Sequence, residues 1–294
     1  MKTSLATFFR RSLLAVGIAG VSACTGMNAD SPADNAVVSN TEKVAQLITS
    51  IETGDHGPVA YINPTQYTQH NLAVADGLAG FGEVLQMLPK GSAKASVQRV
   101  FQDGDYVVAH TEYNFFGPKV GFDIFRFEND QIVEHWDNLQ ALAPANTSGR
   151  TQLDGPTQVT DLAKTEQNKA LVTDFVHSIL IKGEMNRITE FMGTDDADYL
   201  QHNPAVGDGL NALGAALGAM AEQGVPMVYT HNHAVLGEGN FVLTVSEGQF
   251  LGQHSAFYDL FRVEDGKIVE HWDTIETIPA ESEHKNPNGK FGFQ

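Results

Sequence analysis

The chain has 294 residues, 42% of them hydrophobic, with 36 acidic against 18 basic side chains and a formal charge of −18. Nucleic acid and anionic membrane surfaces are themselves strongly negative, so this balance excludes both as electrostatic partners. A single cysteine excludes an internal disulfide framework.

The opening stretch, MKTSLATFFRRSLLAVGIAGVSAC, sets Lys2, Arg10 and Arg11 before an apolar run from Leu13 to Val21 and then small residues. That is the pattern of a secretory signal over residues 1–23, too short to span a bilayer as a permanent helix. Its removal takes three cations and brings the charge from −18 to −21. Arg10–Arg11 fits a twin-arginine signal as well as an ordinary basic n-region. Cys24 closes VSAC, which resembles the bacterial lipobox. That resemblance implies a lipid on Cys24 and an envelope location, either lipid-anchored or periplasmic. Thr25 in place of an Asp favours the outer membrane. The alternative is a cut near Ala23 that leaves a free thiol. Residues 24–40 are small, polar and Pro-containing, and read as a flexible tether.

The remainder is written twice. QHNLAVADGL (Gln69–Leu78) returns as QHNPAVGDGL (Gln201–Leu210), and DIFRFENDQIVEHWD (Asp123–Asp137) returns as DLFRVEDGKIVEHWD (Asp259–Asp273). DGDYVV (Asp103–Val108) answers EGNFVL (Glu238–Leu243), and NTSGR at Asn146–Arg150 answers NPNGK at Asn286–Lys290. A period this long implies duplicated domains, at 41–150 and 166–294, joined by a linker over 151–165.

Each copy begins with a helix. Val44, Leu47, Ile48 and Ile51 share one face, with Thr41 as N-cap and Gly54 as stop; Val172, Phe175, Val176 and Ile179 repeat the spacing, with Gly183 as stop. A second helix follows each DGL, carrying Leu78, Phe81, Leu85 and Leu88, or Leu210, Leu213, Leu217 and Met220. Asp76 and Asp208 stand where a carboxylate would cap that helix.

Strands follow at Tyr106–Tyr113 and Phe241–Glu247, then a hairpin around Asn129–Asp130, or Asp265–Gly266. The order predicts an α+β domain with helices on one face of an antiparallel sheet. A two-residue turn predicts that Phe122 faces Asp137, Asp123 faces Trp136 and Ile124 faces His135. Arg126, His135 and Asp137 then share one face, opposite Asp123, Glu134 and Trp136. The second copy divides Arg262, His271 and Asp273 from Asp259, Glu270 and Trp272. A β-bulge would swap the sets. Both faces carry ionisable groups among aromatics, so which one looks inward is left open.

YLQHNPAVGDGL (Tyr199–Leu210), DLFRVEDGKIVEHWD and NPNGKF (Asn286–Phe291) resemble the SnoaL-like proteins of the nuclear-transport-factor-2-like superfamily, in the branch described as aldol-condensation-catalysing. The first copy resembles it through Tyr67–Leu78 and Asp123–Asp137, departing at Leu72 where the second keeps Pro204. The resemblance implies two cone-shaped domains, each a curved sheet around helices enclosing an apolar pocket. It implies proton abstraction beside a carbonyl, with no metal or organic cofactor. Carried over by position, Asp137 and Asp273 are the candidate bases, with Asp123 and Asp259 as rivals and His135 and His271 as proton partners. His70, His202, Trp136, Trp272, Phe122 and Tyr258 are candidate ligand contacts. From the residues themselves, a carboxylate in an apolar pocket becomes a stronger base, and aromatics such as Phe125 and Phe261 would exclude water. A metal set of His70, His135 and Asp137 is the competing use of such residues; HNH at His231–His233 has no counterpart in the first copy.

Two functions fit this pattern. One is an envelope enzyme of cyclase, aldol or isomerase type acting on a small hydrophobic or carbonyl-containing molecule. The other is a non-catalytic ligand-binding lipoprotein. The linker is long enough for the two copies to pair within one chain as an intramolecular pseudo-dimer.

Overall fold

A computed structural model describes residues 38–293, apart from 90 and 195. The expected signal, Cys24 and most of the tether lie outside the described residues. Val38–Gln294 forms one compact unit. Among the described residues no helix is long and apolar enough to cross a membrane.

The first half runs α1 (Asn40–Thr53), β1 (Thr68–Gln69), α2 (Gly77–Met87), β2 (Lys94–Asp103), β3 (Tyr106–Asn114), β4 (Pro118–Glu128) and β5 (Gln131–Ala141). The second runs α3 (Thr165–Phe175), a short α4 (Ile188–Phe191), β6 (Leu200–Gln201), α5 (Leu210–Glu222), β7 (Val228–Glu238), β8 (Phe241–Phe250), β9 (Gln253–Glu264) and β10 (Lys267–Thr277). Each half holds a mixed five-stranded sheet, ordered β1-β5-β4-β3-β2 and β6-β10-β9-β8-β7. The short first strand of each lies parallel to the last.

The N-cap of helix α1 falls two residues before the expected Thr41. Ser39 is the N-cap because Glu42 stands three residues on and closes a reciprocal capping box with it. Gly54 ends the helix at φ 70. Helix α3 continues as a wider turn over Val176–Ile181, and Val172, Phe175, Val176 and Ile179 are all buried, as their spacing predicts. Neither aspartate before the second helix caps it. Asp76 instead accepts from the backbone N–H of Gln69 (3.0 Å), and Asp208 from that of Gln201 (2.9 Å), so each pins the short strand beside the last one.

Asn129 and Asp130 both take positive φ, the conformation of the two-residue turn. Beyond it the expected register fails. Ile132 pairs with Phe127, but Glu134 pairs with Arg126, leaving Val133 as an extra residue. Val269 is the extra residue in the second half, between Ile268↔Val263 and Glu270↔Arg262. This bulge moves every later pair by one, so Asp123 faces Asp137 and Asp259 faces Asp273. Asp123 therefore joins His135 and Asp137, while Arg126 joins Glu134 and Trp136, and the second half divides the same way.

Both faces of each sheet are covered. The Asp–His–Asp side lies toward the helices, over clusters that include Val44, Leu47 and Phe125, or Val172, Phe175 and Phe261. Opposite, Phe101, Phe122, Ile124 and Trp136 of the first sheet share one buried cluster with Leu243, Tyr258, Leu260 and Trp272 of the second. Asn138 Nδ2 crosses it to the Thr274 carbonyl (2.8 Å). Apolar burial on this scale is the main stabilising term available between the halves.

The segment after each sheet packs on the other half. Asn146 Nδ2 donates to the carbonyls of Gln201 (2.6 Å) and Val206 (2.8 Å), and Asn286 Nδ2 to those of Asn71 (2.8 Å) and Val74 (2.9 Å). Trp272 Nε1 donates to Asp154 O (3.0 Å) and Trp136 Nε1 to Phe291 O (3.4 Å). Arg99 reaches over Trp272, 4.3 Å from its ring, and bonds the carbonyls of Leu153 and Pro156. The expected linker is thus a bound strap along much of its length.

Candidate active site

In the second half the bulge sets Asp259, His271 and Asp273 on one face of β9–β10, all buried, with ligand-type atoms within 4.8 Å of one another. Beside them β6 and the residues flanking it present Tyr199, Gln201 and Asn203, alternate residues that share a face. Gln201 Oε1 accepts from the Asn203 backbone N–H (2.9 Å), and its Nε2 donates to the Tyr199 hydroxyl (3.0 Å). The amide orientation is therefore fixed, and Oε1 faces His271 Nδ1 at 3.0 Å as an acceptor. His271 Nε2 faces Asp259 Oδ1, also at 3.0 Å. Acceptors opposite both ring nitrogens favour a doubly protonated His271. Tyr229 donates to both Asp259 oxygens at 3.2 Å, and Asn203 Nδ2 donates to both oxygens of Asp273 (3.0 and 2.8 Å).

Burial opposes the charge on His271. The Asp259 hydrogen bond and the charges of Asp273 and Asp259 outweigh it, and its pKa stands above the usual histidine value. Burial raises the pKa of Asp273 from the ordinary aspartate value, and the Asp259 charge adds to this against the pull of His271 and Asn203. The phenols of Tyr229 and Tyr199 are held neutral by burial and by the nearby carboxylates.

This cluster forms the polar end of a cavity of about 710 Å³ whose other walls are apolar, including Ile179, Met192, Leu213, Leu217, Phe250 and Phe261. Phe261 stacks on His271 with centroids 4.8 Å apart. The same three groups could offer oxygen and nitrogen ligands to a metal, but both His271 nitrogens are already committed, so metal binding would cost those bonds.

The first half repeats the constellation. His135 lies between Gln69 Oε1 (3.1 Å) and Asp123 Oδ1 (3.3 Å), and Asn71 Nδ2 donates to Asp137 Oδ2 (2.6 Å). Two features differ. The phenol on the first aspartate comes from Tyr113 on β3, opposite Ala95 on β2. In the second half it comes from Tyr229 on β7, opposite Gly248 on β8, the position equivalent to Tyr113. A Cβ at Gly248 would stand 1.8 Å from Val228 O, so tyrosine and small residue have exchanged strands as a pair. Lys290 Nζ also lies 3.9 Å from Asp137 Oδ1, while donating to the Asp137 backbone carbonyl (2.7 Å) and to Glu276 (2.5 Å). The equivalent Arg150 turns instead to Asp208 (2.8 Å).

All six expected catalytic residues are thus brought together, three in each half. The six expected ligand contacts lie elsewhere. Phe122 and Tyr258 are buried between the sheets, with Trp136 and Trp272. His70 stacks on Trp136 and bonds Glu134 (2.9 Å) and Gly289 O (2.8 Å). His202 stacks on Trp272 and bonds Glu270 (2.8 Å) and Thr151 O (2.7 Å). Arg126 and Arg262 complete these outer clusters, 2.7 Å from Glu134 and Glu270. His70 faces away from His135 and Asp137, so the three cannot share a metal. Of the residues that do face the site, Gln69, Asn71, Gln201 and Asn203 carried a readable signal only as the immediate neighbours of each QHN histidine, and Tyr113 and Tyr229 carried none.

Residues 172–271 match the SnoaL-like domain family. No curated protein matches the chain. Similar solved structures include a nuclear-transport-factor-2-like protein of unknown function from Cytophaga hutchinsonii (12% identity, TM-score 0.32, covering 36% of this chain and 94% of that one). Others are IdmH, a putative polyketide cyclase from Streptomyces antibioticus (18% identity, TM-score 0.30, 34% and 90%), and an LEH-like epoxide hydrolase from M. tuberculosis (14% identity, TM-score 0.30, 34% and 81%).

The raised pKa values of Asp273 and His271 have the same sign in linkage. The folded state holds both protons more tightly than the unfolded chain, so each contribution to stability is present at low pH and lost as pH rises through the folded value. Asp273→Asn removes the first contribution. The unfolding free energy of wild type relative to this variant should fall as pH rises from the acid side of the carboxylate range toward neutrality, measured by urea denaturation. A difference that grows with pH would contradict the shift.

Proposed function

We propose that the second half catalyses cofactor-independent acid/base chemistry on a carbonyl-containing small molecule, of the cyclase, aldol or isomerase type. The observation that carries this reading is Asp273, a carboxylate of raised pKa at the polar end of an apolar cavity. Asp273 takes the proton α to the carbonyl, and the nearby imidazolium of His271 offsets the negative charge that develops. Tyr199 accepts from Gln201, which leaves its own O–H free to donate to the carbonyl oxygen. Asp259, Gln201 and Tyr229 touch His271 or its partner and act as positioning residues. The activity is assigned to the second half because the apolar cavity is lined by residues of that half.

The test is α-proton exchange of α-tetralone in D2O, followed by NMR. The expected result is exchange above the buffer rate, reduced by at least about a hundredfold in Asp273→Asn and much less affected by Asp137→Asn. Ligand binding without exchange would leave the second reading, a non-catalytic binding protein.

We also propose that the two halves act as an intramolecular pseudo-dimer needing no second chain. The shared apolar cluster and the two exchanged tails support this. Light scattering on residues 25–294 should give the mass of one chain at micromolar concentration; a stable dimer would overturn the proposal.

A further inference from the structure

Helix α5 breaks a regularity that α1 obeys. Leu213, Ala216, Leu217 and Met220 recur at the spacing of an apolar stripe, which a helix normally buries. Helix α1 buries its stripe of Val44, Leu47 and Ile48. Helix α5 buries none of its residues fully: Leu213 packs in part against the core cluster, and Leu213, Ala216, Leu217 and Met220 line the cavity. An apolar wall with nothing opposite forgoes its dispersion contacts, and a ligand would restore them.

The polarity of the cavity is confined to one network. Its polar lining consists of Asp259, His271 and Asp273 with the four side chains that bond them or one another, Tyr199, Gln201, Asn203 and Tyr229. Among the described lining residues no other polar side chain stands along the walls to meet a second head group. Four methionines, Met185, Met192, Met220 and Met227, line the apolar part, and their unbranched chains adapt to bodies of varied shape.

We infer that the ligand is a single-headed amphiphile: one carbonyl held at the Asp273 end and an unsubstituted apolar body laid against α5. This rests on the proposed acid/base reading for the carbonyl head alone; the apolar body follows from the walls. A second polar substituent would be buried without a partner and would weaken binding.

Calorimetric binding of 2-alkanones to Asp273→Asn protein tests this without turnover. From 2-pentanone to 2-undecanone, affinity should rise about fourfold per methylene until the cavity is filled. The dione 2,10-undecanedione should bind at least about tenfold more weakly than 2-undecanone, as expected for one unpaired buried carbonyl. Ala216→Phe should fill the space below α5, costing 2-undecanone at least about tenfold while sparing 2-pentanone, whose retention reports an intact fold. Affinity independent of chain length, a dione that binds as well as the monoketone, or an indifferent Ala216→Phe would each overturn the inference. Failure of α-proton exchange with the chain-length trend intact would support it and overturn only the catalytic reading.

Discussion

Everything about the site depends on one extra residue in each hairpin. Val133 and Val269 have no partner across the ladder, and past them every side chain of β5 and β10 meets a neighbour one position removed from the simple register. Without that shift Asp123 would lie beside Trp136, and the site would hold one carboxylate and one imidazole. With it, two carboxylates face each other across adjacent strands with a histidine between them in sequence and beside them in space. Bulges re-aim side chains at the cost of one ladder step. Here the gain is a buried histidine with an acceptor at each nitrogen.

The doubled IVEHWD then reads as two interleaved sets. His and Asp point to the helices and build the network with Gln, Asn and Tyr. Glu and Trp point to the other sheet, where Glu134 and Glu270 hold the QHN histidines and the tails cross over. Burial works against the ionised form of Glu270, yet the His202 and Arg262 hydrogen bonds keep its pKa below the ordinary value. The outer set therefore fixes the strand that carries the inner one. The exchanged tails also distinguish the halves: the segment closing on the first half brings Lys290 to Asp137, whereas the one closing on the second spends Arg150 on Asp208.

Much of the fold was legible in the chain because its signals are local. The apolar stripes of α1 and α3, Gly54 and Gly183 as stops, and the positive-φ turn residues each act over a few positions. The mixed character of both hairpin faces was also legible, since each is covered by a different neighbour. The bulge was not, because a valine in a strand looks the same whether or not it is paired. The histidines of QHN drew attention as chemical groups, but their neighbours Gln and Asn face the site, a consequence of the same register. Tyr113 and Tyr229 escaped the comparison of copies because they stand on different strands and do not align. Their equivalence exists only in space, at the carboxylate each one reaches. The absence of buried residues on α5 depends on what lies opposite the helix, which no helical period encodes.

The central claim is that His271 is held as an imidazolium by acceptors at both nitrogens. Chain-specific ¹⁵N labelling of histidine with two-dimensional ¹H–¹⁵N correlation of the ring nitrogens measures this directly, with His271→Asn used to assign the signal. The account predicts that both nitrogens of His271 stay protonated to higher pH than in an ordinary histidine. A ring that loses its proton at or below the ordinary histidine value, with one bare nitrogen facing Asp259 or Gln201, would contradict it.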